Sequence, residues 1–241
     1  MEILSPAGSP EAVRAAVYAG ADAVYLGYGP FNARRNARNF NREELEEAIH
    51  LCHLYGVKVY LTLNTLASDR EVAQAAQVAV EASSLGVDAI LVQDMGLLQV
   101  VGQVAPDVHL HASTQMTIHN LDGVKRCADL GLTRAVLSRE LSAKEISYIC
   151  AHSPIEIETF VHGALCMCYS GQCFFSSVLG GRSGNRGLCA QPCRLSYGWK
   201  GKADRYPLSL KDMSLAGHLN QLHDMGVACA KIEGRNKRPE Y

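Results

Sequence analysis

The sequence predicts an α/β fold, a TIM-like (β/α)8 barrel, on three observations. Eight short apolar segments of high β-propensity recur along the chain. Most intervals between them carry helix-start signals, and five end on a glycine just before the next strand. Several segments are nearly continuous apolar runs, as expected for parallel strands buried on both faces. Strands and helices that alternate in this number close most economically into a barrel. An open doubly wound sheet is the alternative, but the first turn, Ser5-Pro-Ala-Gly-Ser-Pro10, is not the G-x-G-x-x-G of a dinucleotide-binding fold.

The predicted strands are residues 2–5, 23–27, 57–64, 89–94, 108–113, 134–139, 155–161 and 227–233. Ser9-Pro10 reads as an N-cap followed by proline at the first helical position. Asn41 caps a helix running to about residue 55, and Ser68-x-x-Glu71 and Ser142-x-x-Glu145 are capping boxes. Gly20, Gly56, Gly86, Gly131 and Gly226 suit the left-handed position that ends a helix. The chain stops at Tyr241, where an eighth helix is due, so the barrel is expected to lack its last helix. We read residues 1–241 as a single barrel domain, with residues 162–226 a cysteine-rich insertion between the seventh and eighth strands, over the barrel mouth.

Composition narrows the function classes. The 241 residues are 48% hydrophobic and 20% charged, which excludes a disordered chain. A formal net charge of −1 excludes a globally basic nucleic-acid binder and leaves a local basic patch open. Met1-Glu-Ile-Leu-Ser-Pro6 has no basic leader and reads as the first strand, and no apolar run is long enough to span a membrane. Nine cysteines without an export signal point to a reducing cytoplasm.

In a barrel the active site lies at the C-terminal ends of the strands. Reading those ends gives Ser5, Asn64, Gln93, Asp94, His111, Ser113, Thr114, Gln115, Arg139, Glu140, His162, Lys231, Glu233 and Arg235. Polar strand ends also arise simply because strands meet solvent there, but the full ring reads as a converging pocket. The insertion holds five of the nine cysteines. Cys166, Cys173, Cys189 and Cys193, spaced C-x6-C-x15-C-x3-C, supply four soft thiolates for an iron–sulfur cluster or a structural zinc. The first spacing is wide for a zinc knuckle, and the glycine-rich flanks offer backbone N–H groups to sulfides. Cys168 and Cys229 are spare, with Cys229 on the last strand a substitute ligand, while Cys52, Cys127 and Cys150 read as buried core. The insertion has no acidic residue between Glu158 and Asp204, whereas Arg182, Arg186, Arg194, Lys200 and Lys202 are basic. With Tyr169, Phe174, Phe175, Tyr197 and Trp199 they suit anions and stacked bases, or they offset the charge of a thiolate cluster.

Glu158-Thr-Phe-Val-His-Gly-Ala-Leu-Cys166, with Gly171-Gln-Cys173 and Ser176, resembles the signature of the collagenase-like peptidases of family U32. The likeness extends through Ser5-Pro-Ala-Gly8, Val92-Gln-Asp94, His111-Ala-Ser-Thr-Gln115, Gly181-Arg-Ser-Gly-Asn-Arg-Gly187 and Lys231-Ile-Glu-Gly-Arg235. It implies a barrel-like fold and, for several members, a 4Fe–4S cluster and hydroxylation of a tRNA uridine, a ribosomal-RNA cytidine or ubiquinone precursors. Prephenate is implicated for the RNA-modifying branches, and this sequence is closest to the ribosomal-RNA branch. Carried over, the ligands are Cys166, Cys173, Cys189 and Cys193.

The leading expectation is therefore an iron–sulfur-dependent RNA hydroxylase acting on accessible bases with a small carboxylate cosubstrate. His111, Gln115, Arg139, His162 and Glu233 are its candidate catalytic residues, and Lys231, Arg235 and Asn64 its candidate cofactor-binding residues. Arg139 and Arg235 are the natural carboxylate partners. A peptidase is the alternative. The chain has no H-E-x-x-H or G-x-S-x-G, but His162 and Cys166 are close enough in sequence for a thiolate–imidazole pair. A non-catalytic metal-binding partner protein, with zinc in place of the cluster, is the third reading.

Overall fold

The computed structural model describes residues 1–33 and 39–241. It opens with β1 (Glu2–Pro6), α1 (Pro10–Tyr18), β2 (Ala23–Leu26), α2 (Arg42–Leu54), β3 (Lys58–Leu63) and α3 (Asp69–Leu85). It continues with β4 (Ala89–Val92), α4 (Met95–Val104), β5 (His109–Ala112), α5 (Leu121–Asp129), β6 (Arg134–Val136), α6 (Ala143–His152) and β7 (Glu156–Gly163). The insertion supplies α7 (Phe175–Gly180), β8 (Tyr197–Trp199), β9 (Lys202–Arg205) and β10 (Met213–Ser214), before α8 (Leu219–Asp224) and β11 (Cys229–Ile232).

The eight parallel strands run in the order β7-β11-β1-β2-β3-β4-β5-β6, and β6 pairs back onto β7, closing the barrel. β10 adds an antiparallel pairing at the end of β7, Met213 opposite Gly163 and Ser214 opposite His162. The insertion is thereby stitched to the rim, and β7 runs two residues past the expected end at residue 161. β6 is shorter than expected, ending at Val136, because Leu137 and Ser138 already form loop contacts with Glu158 and Ile118.

Local signals explain the helices. Ser9 caps α1 with proline at its first position, and Asn41 forms a reciprocal capping box with Glu44. Glu71 and Glu145 accept from the backbone N–H of Ser68 and Ser142 at 2.9 and 2.7 Å. All five helix-ending glycines adopt positive φ, between 72° and 95°, a region that L side chains rarely tolerate.

Strand alternation builds two layers of core. Val24 and Leu26 pack outward against the helices, while Leu4, Ala23, Tyr25, Tyr60, Leu91, Val136 and Phe160 fill the barrel interior. The interior also buries charge, including Glu158, Arg134 and Lys231.

Candidate functional site

The ends of the strands meet in a pocket at the barrel mouth. Of the residues singled out in the sequence, Asn64, Gln115, Arg139, Lys231, Glu233 and Arg235 line it. Ser113 and Thr114, also singled out in the sequence, line it too, together with Tyr25, Thr62, Leu91 and Phe160. Among the described residues, three cationic side chains thus face one carboxylate, Glu233, so the lining favours an anion.

Arg139 crosses this pocket. Its Nη2 lies 2.7 Å from Glu233 Oε2, its guanidinium stacks 3.9 Å from the centre of the Phe160 ring, and its Nη1 donates to the carbonyl of Ala164. Its buried Nε has no hydrogen-bond partner among the described residues. Arg235 is seated differently. Its Nη1 donates to Asn32 Oδ1 at 3.2 Å and Thr62 Oγ1 at 2.9 Å. A Cβ at Gly27 would stand 2.7 Å from that Nη1, so any larger residue there would force the guanidinium to shift. Asn64 is a bracket, accepting from Ala33 N at 3.0 Å and donating to Ser113 Oγ at 3.0 Å. Lys231 Nζ sits 2.7 Å from Glu158 Oε1 at the pocket floor.

Two expected catalytic residues lie off the pocket. His111 points into the barrel beneath it, edge-on to Tyr60 with ring centres 5.1 Å apart. Burial, reinforced by the charges of Arg134 and Lys231, holds its pKa well below the ordinary value, so the ring is neutral. His162 instead faces Tyr241, with ring centres 5.6 Å apart. Asp94 caps α4 through Leu97 N at 2.9 Å, and Glu140 holds the backbone N–H of Ser170 at 3.1 Å.

The four cysteines of the insertion converge. Cys166, Cys173, Cys189 and Cys193 line a single cavity of about 170 Å³. It shares Ala33, Gln115 and Glu233 with the mouth pocket, so the two spaces adjoin. Burial raises the Cys193 thiol, Arg194 opposes this, and the neighbouring thiols of Cys189 and Cys173 add to the rise. The backbone N–H of Gln191 donates to Cys189 Sγ at 3.3 Å. Gly184 lies between the loops, where a Cβ would meet the Cys173 carbonyl at 3.6 Å and Cys189 Cβ at 3.8 Å. None of the nine cysteines is joined in a disulfide.

Cys229 does not belong to this set. It is fully buried inside the barrel, paired in register with Glu2 and Glu158 at the opposite end, and burial pushes its thiol up. Its place at the start of β11, not the end, explains the difference from the sequence expectation. Among the described residues no histidine lines the cysteine cavity, so His162 and Cys166 are not brought together there.

Among the described residues, no three His, Cys, Asp or Glu side chains are close enough to hold one metal ion. Four ligands of a single zinc must crowd around one atom, whereas a polynuclear cluster spreads its thiolates over separate irons. Four thiols around a common cavity, with Glu233 the one carboxylate among its described lining residues, are a soft donor set of the kind an iron–sulfur cluster takes.

The basic residues of the insertion mainly pin it in place. Arg186 grips Glu71 through both Nη atoms, at 2.9 and 2.6 Å, and donates to Leu66 O at 2.8 Å. Arg194 holds Leu165 O at 2.9 Å, and Arg182 holds Leu188 O at 3.0 Å. Tyr169 and Phe174 of the same insertion are exposed. The side chains of Trp199 and Lys202 lie outside those described.

The chain matches the description Peptidase family U32 over residues 8–241 and belongs to that family. It is 42% identical over 247 residues to a 23S rRNA 5-hydroxycytidine synthase of Escherichia coli, covering 100% of this chain and 37% of that protein. It is 36% identical to tRNA hydroxylation protein P1 of Bacillus subtilis, covering 100% of this chain and 60% of that protein. A collagenase of Porphyromonas gingivalis is 38% identical, again over 100% of this chain and 62% of its own length. The chain thus spans between 37% and 62% of the length of these relatives. The solved U32 peptidase Mk0906 shares the fold, with a TM-score of 0.68 at 16% identity over 97% of this chain and 93% of that one.

Proposed function

We propose that this chain is the barrel portion of an RNA-modifying hydroxylase that adds an oxygen atom to a pyrimidine, with a 4Fe–4S cluster held by Cys166, Cys173, Cys189 and Cys193. One observation carries the reading: the cavity lined by those four thiols adjoins the cationic mouth pocket, sharing Gln115 and Glu233 with it. The names of the ribosomal-RNA and tRNA relatives support an RNA substrate. A bound cluster supplies redox chemistry at the edge of the mouth.

The chain's own residues do the rest. Arg139 and Lys231 draw in the carboxylate of a small cosubstrate, for which prephenate is our candidate, and Arg235 shapes the wall beside them. Gln115 and Glu233 stand where both cavities meet, within reach of a group placed between them. The exposed rings of Tyr169 and Phe174 offer stacking faces to a splayed base.

The test is nucleoside mass spectrometry of RNA from cells lacking the gene. The reading predicts that one nucleoside loses the mass of a single oxygen atom and regains it on complementation. RNA nucleosides that all stay unchanged would defeat it. The peptidase reading makes the opposite prediction, cleavage of casein or gelatin that disappears in Cys166→Ala.

A further inference from the structure

A line of alternating charges runs through the barrel interior. Tyr60 OH donates to Glu2 Oε2 at 2.9 Å, Arg134 Nη1 lies 2.7 Å from Glu2 Oε1 and 3.5 Å from Glu158 Oε2, and Lys231 Nζ lies 2.7 Å from Glu158 Oε1. The Glu158 side chain is 0% exposed and that of Lys231 4%. Burying ions costs several kcal/mol each before pairing, and apolar side chains of the same volume are often at least as stable. Stability alone therefore gives no reason for this line.

Its geometry does. Of Glu2, Arg134, Glu158 and Lys231, only Lys231 lines the mouth pocket. The ammonium carries three donors, and Glu158 is its one hydrogen-bond partner among the described residues. The remaining donors lie among the faces of Tyr25 and Phe160, 4.4 and 5.5 Å from Nζ to the ring centres, and both rings line the same pocket. Aromatic faces stabilise the cation without saturating its N–H groups. A protonated lysine with spare donors at the floor of a cationic pocket is a receptor for an anionic oxygen.

We propose that Lys231 is the floor of the anion site, contacting an oxygen of the bound carboxylate, and that Glu158 is a positioning residue that holds the ammonium aimed upward. This rests on reading the mouth pocket as a carboxylate site. Without Glu158, the same buried amine loses the carboxylate 2.7 Å away that holds it in place, so it turns away from the pocket.

The experiment is calorimetric titration of prephenate into anaerobically purified wild type, Lys231→Met, Glu158→Gln, Glu158→Asp and the double variant Glu158→Gln/Lys231→Met, each with a melting curve. We expect Lys231→Met and Glu158→Gln each to weaken binding about tenfold to a hundredfold, the range for a charge-assisted hydrogen bond. Glu158→Asp should recover most of the affinity. The double variant removes both charges, so it should regain the melting temperature lost by Glu158→Gln while binding no better than Lys231→Met. That separation is what a purely structural pair would not give. Wild-type affinity in the folded variants, or affinity that returns with melting temperature in the double variant, would overturn the proposal. A wild type that binds no prephenate would instead remove the carboxylate reading of the pocket, and the role of Lys231 with it.

Discussion

Arg139 Nη2 stands 2.7 Å from Glu233 Oε2, and this pair sits at the seam between the mouth pocket and the cysteine cavity. The same guanidinium holds the carbonyl of Ala164, two residues before Cys166. One side chain thus joins the loop after β6, the root of the first cysteine loop and the segment after β11. Arg139→Lys keeps the charge but loses the planar fork. Prephenate affinity should fall by about tenfold or more, with little change in melting temperature. An unchanged dissociation constant by calorimetry would show that the fork serves only the scaffold.

Gly27→Ala tests the seat of Arg235. The added methyl group would lie 2.6 Å from Asn39 Oδ1, 2.7 Å from Arg235 Nη1 and 3.0 Å from Asn32 Cγ. Overpacking at such a buried, hydrogen-bonded corner costs about 1–3 kcal/mol. The melting temperature should drop by several degrees, because each 1 kcal/mol shifts a chain of this size by about 2–4 °C. A melting curve that superimposes on wild type would mean that Arg235 moves freely.

The clasp between Arg186 and Glu71 fixes the insertion to α3. The Arg186 hydrogen bond, followed by those from Ser68, holds the Glu71 carboxyl far below its ordinary value of 4.5. A depressed carboxylate contributes its stability fully above the unfolded value and loses it as pH falls through the folded one. Limited proteolysis within residues 182–194 should therefore quicken on acidification below about pH 4.5 in wild type. Glu71→Gln should already be fast at neutral pH and should change less on acidification. Equal cleavage rates in the two proteins at neutral pH would contradict the clasp.

His111 gives a second pH signature of opposite chemical origin. The ring is neutral in the folded chain well below 6.5, whereas the unfolded chain binds a proton there. Stability is complete above that pH and falls below it, with a slope approaching about 1.4 kcal/mol per pH unit. Denaturant unfolding between pH 7 and 5 should show this slope in wild type and a shallower one in His111→Leu. Parallel pH dependences would mean that the imidazole protonates without unfolding.

The sequence carried the scaffold well because its signals are local. The helix-ending glycines, the capping boxes and the apolar strand runs each depend on a few neighbouring residues, and each forms where expected, with β6 and β7 differing in where they end. That Asn64, Gln115, Arg139, Lys231, Glu233 and Arg235 gather at the mouth followed from one rule, that strand ends meet there. What was not legible depends on strand register and on partners distant in sequence. His111 is two residues before Ser113 on the same face, yet that spacing places it one layer below the mouth, against Tyr60. Cys229 and Lys231 share a strand, but only the later one reaches the pocket. Glu158 gave no sign, because its partners Arg134 and Lys231 lie on two other strands. Arg186 and Arg194 read as a basic surface because their anchors, Glu71 and the Leu165 carbonyl, are far away in the chain.

Iron and acid-labile sulfide determination on protein purified without oxygen tests the central claim most directly. The account predicts about four of each per chain, a brown colour, and loss of both in Cys173→Ser while the barrel still melts cooperatively. Colourless protein with one zinc per chain, or full iron content in Cys173→Ser, would contradict it.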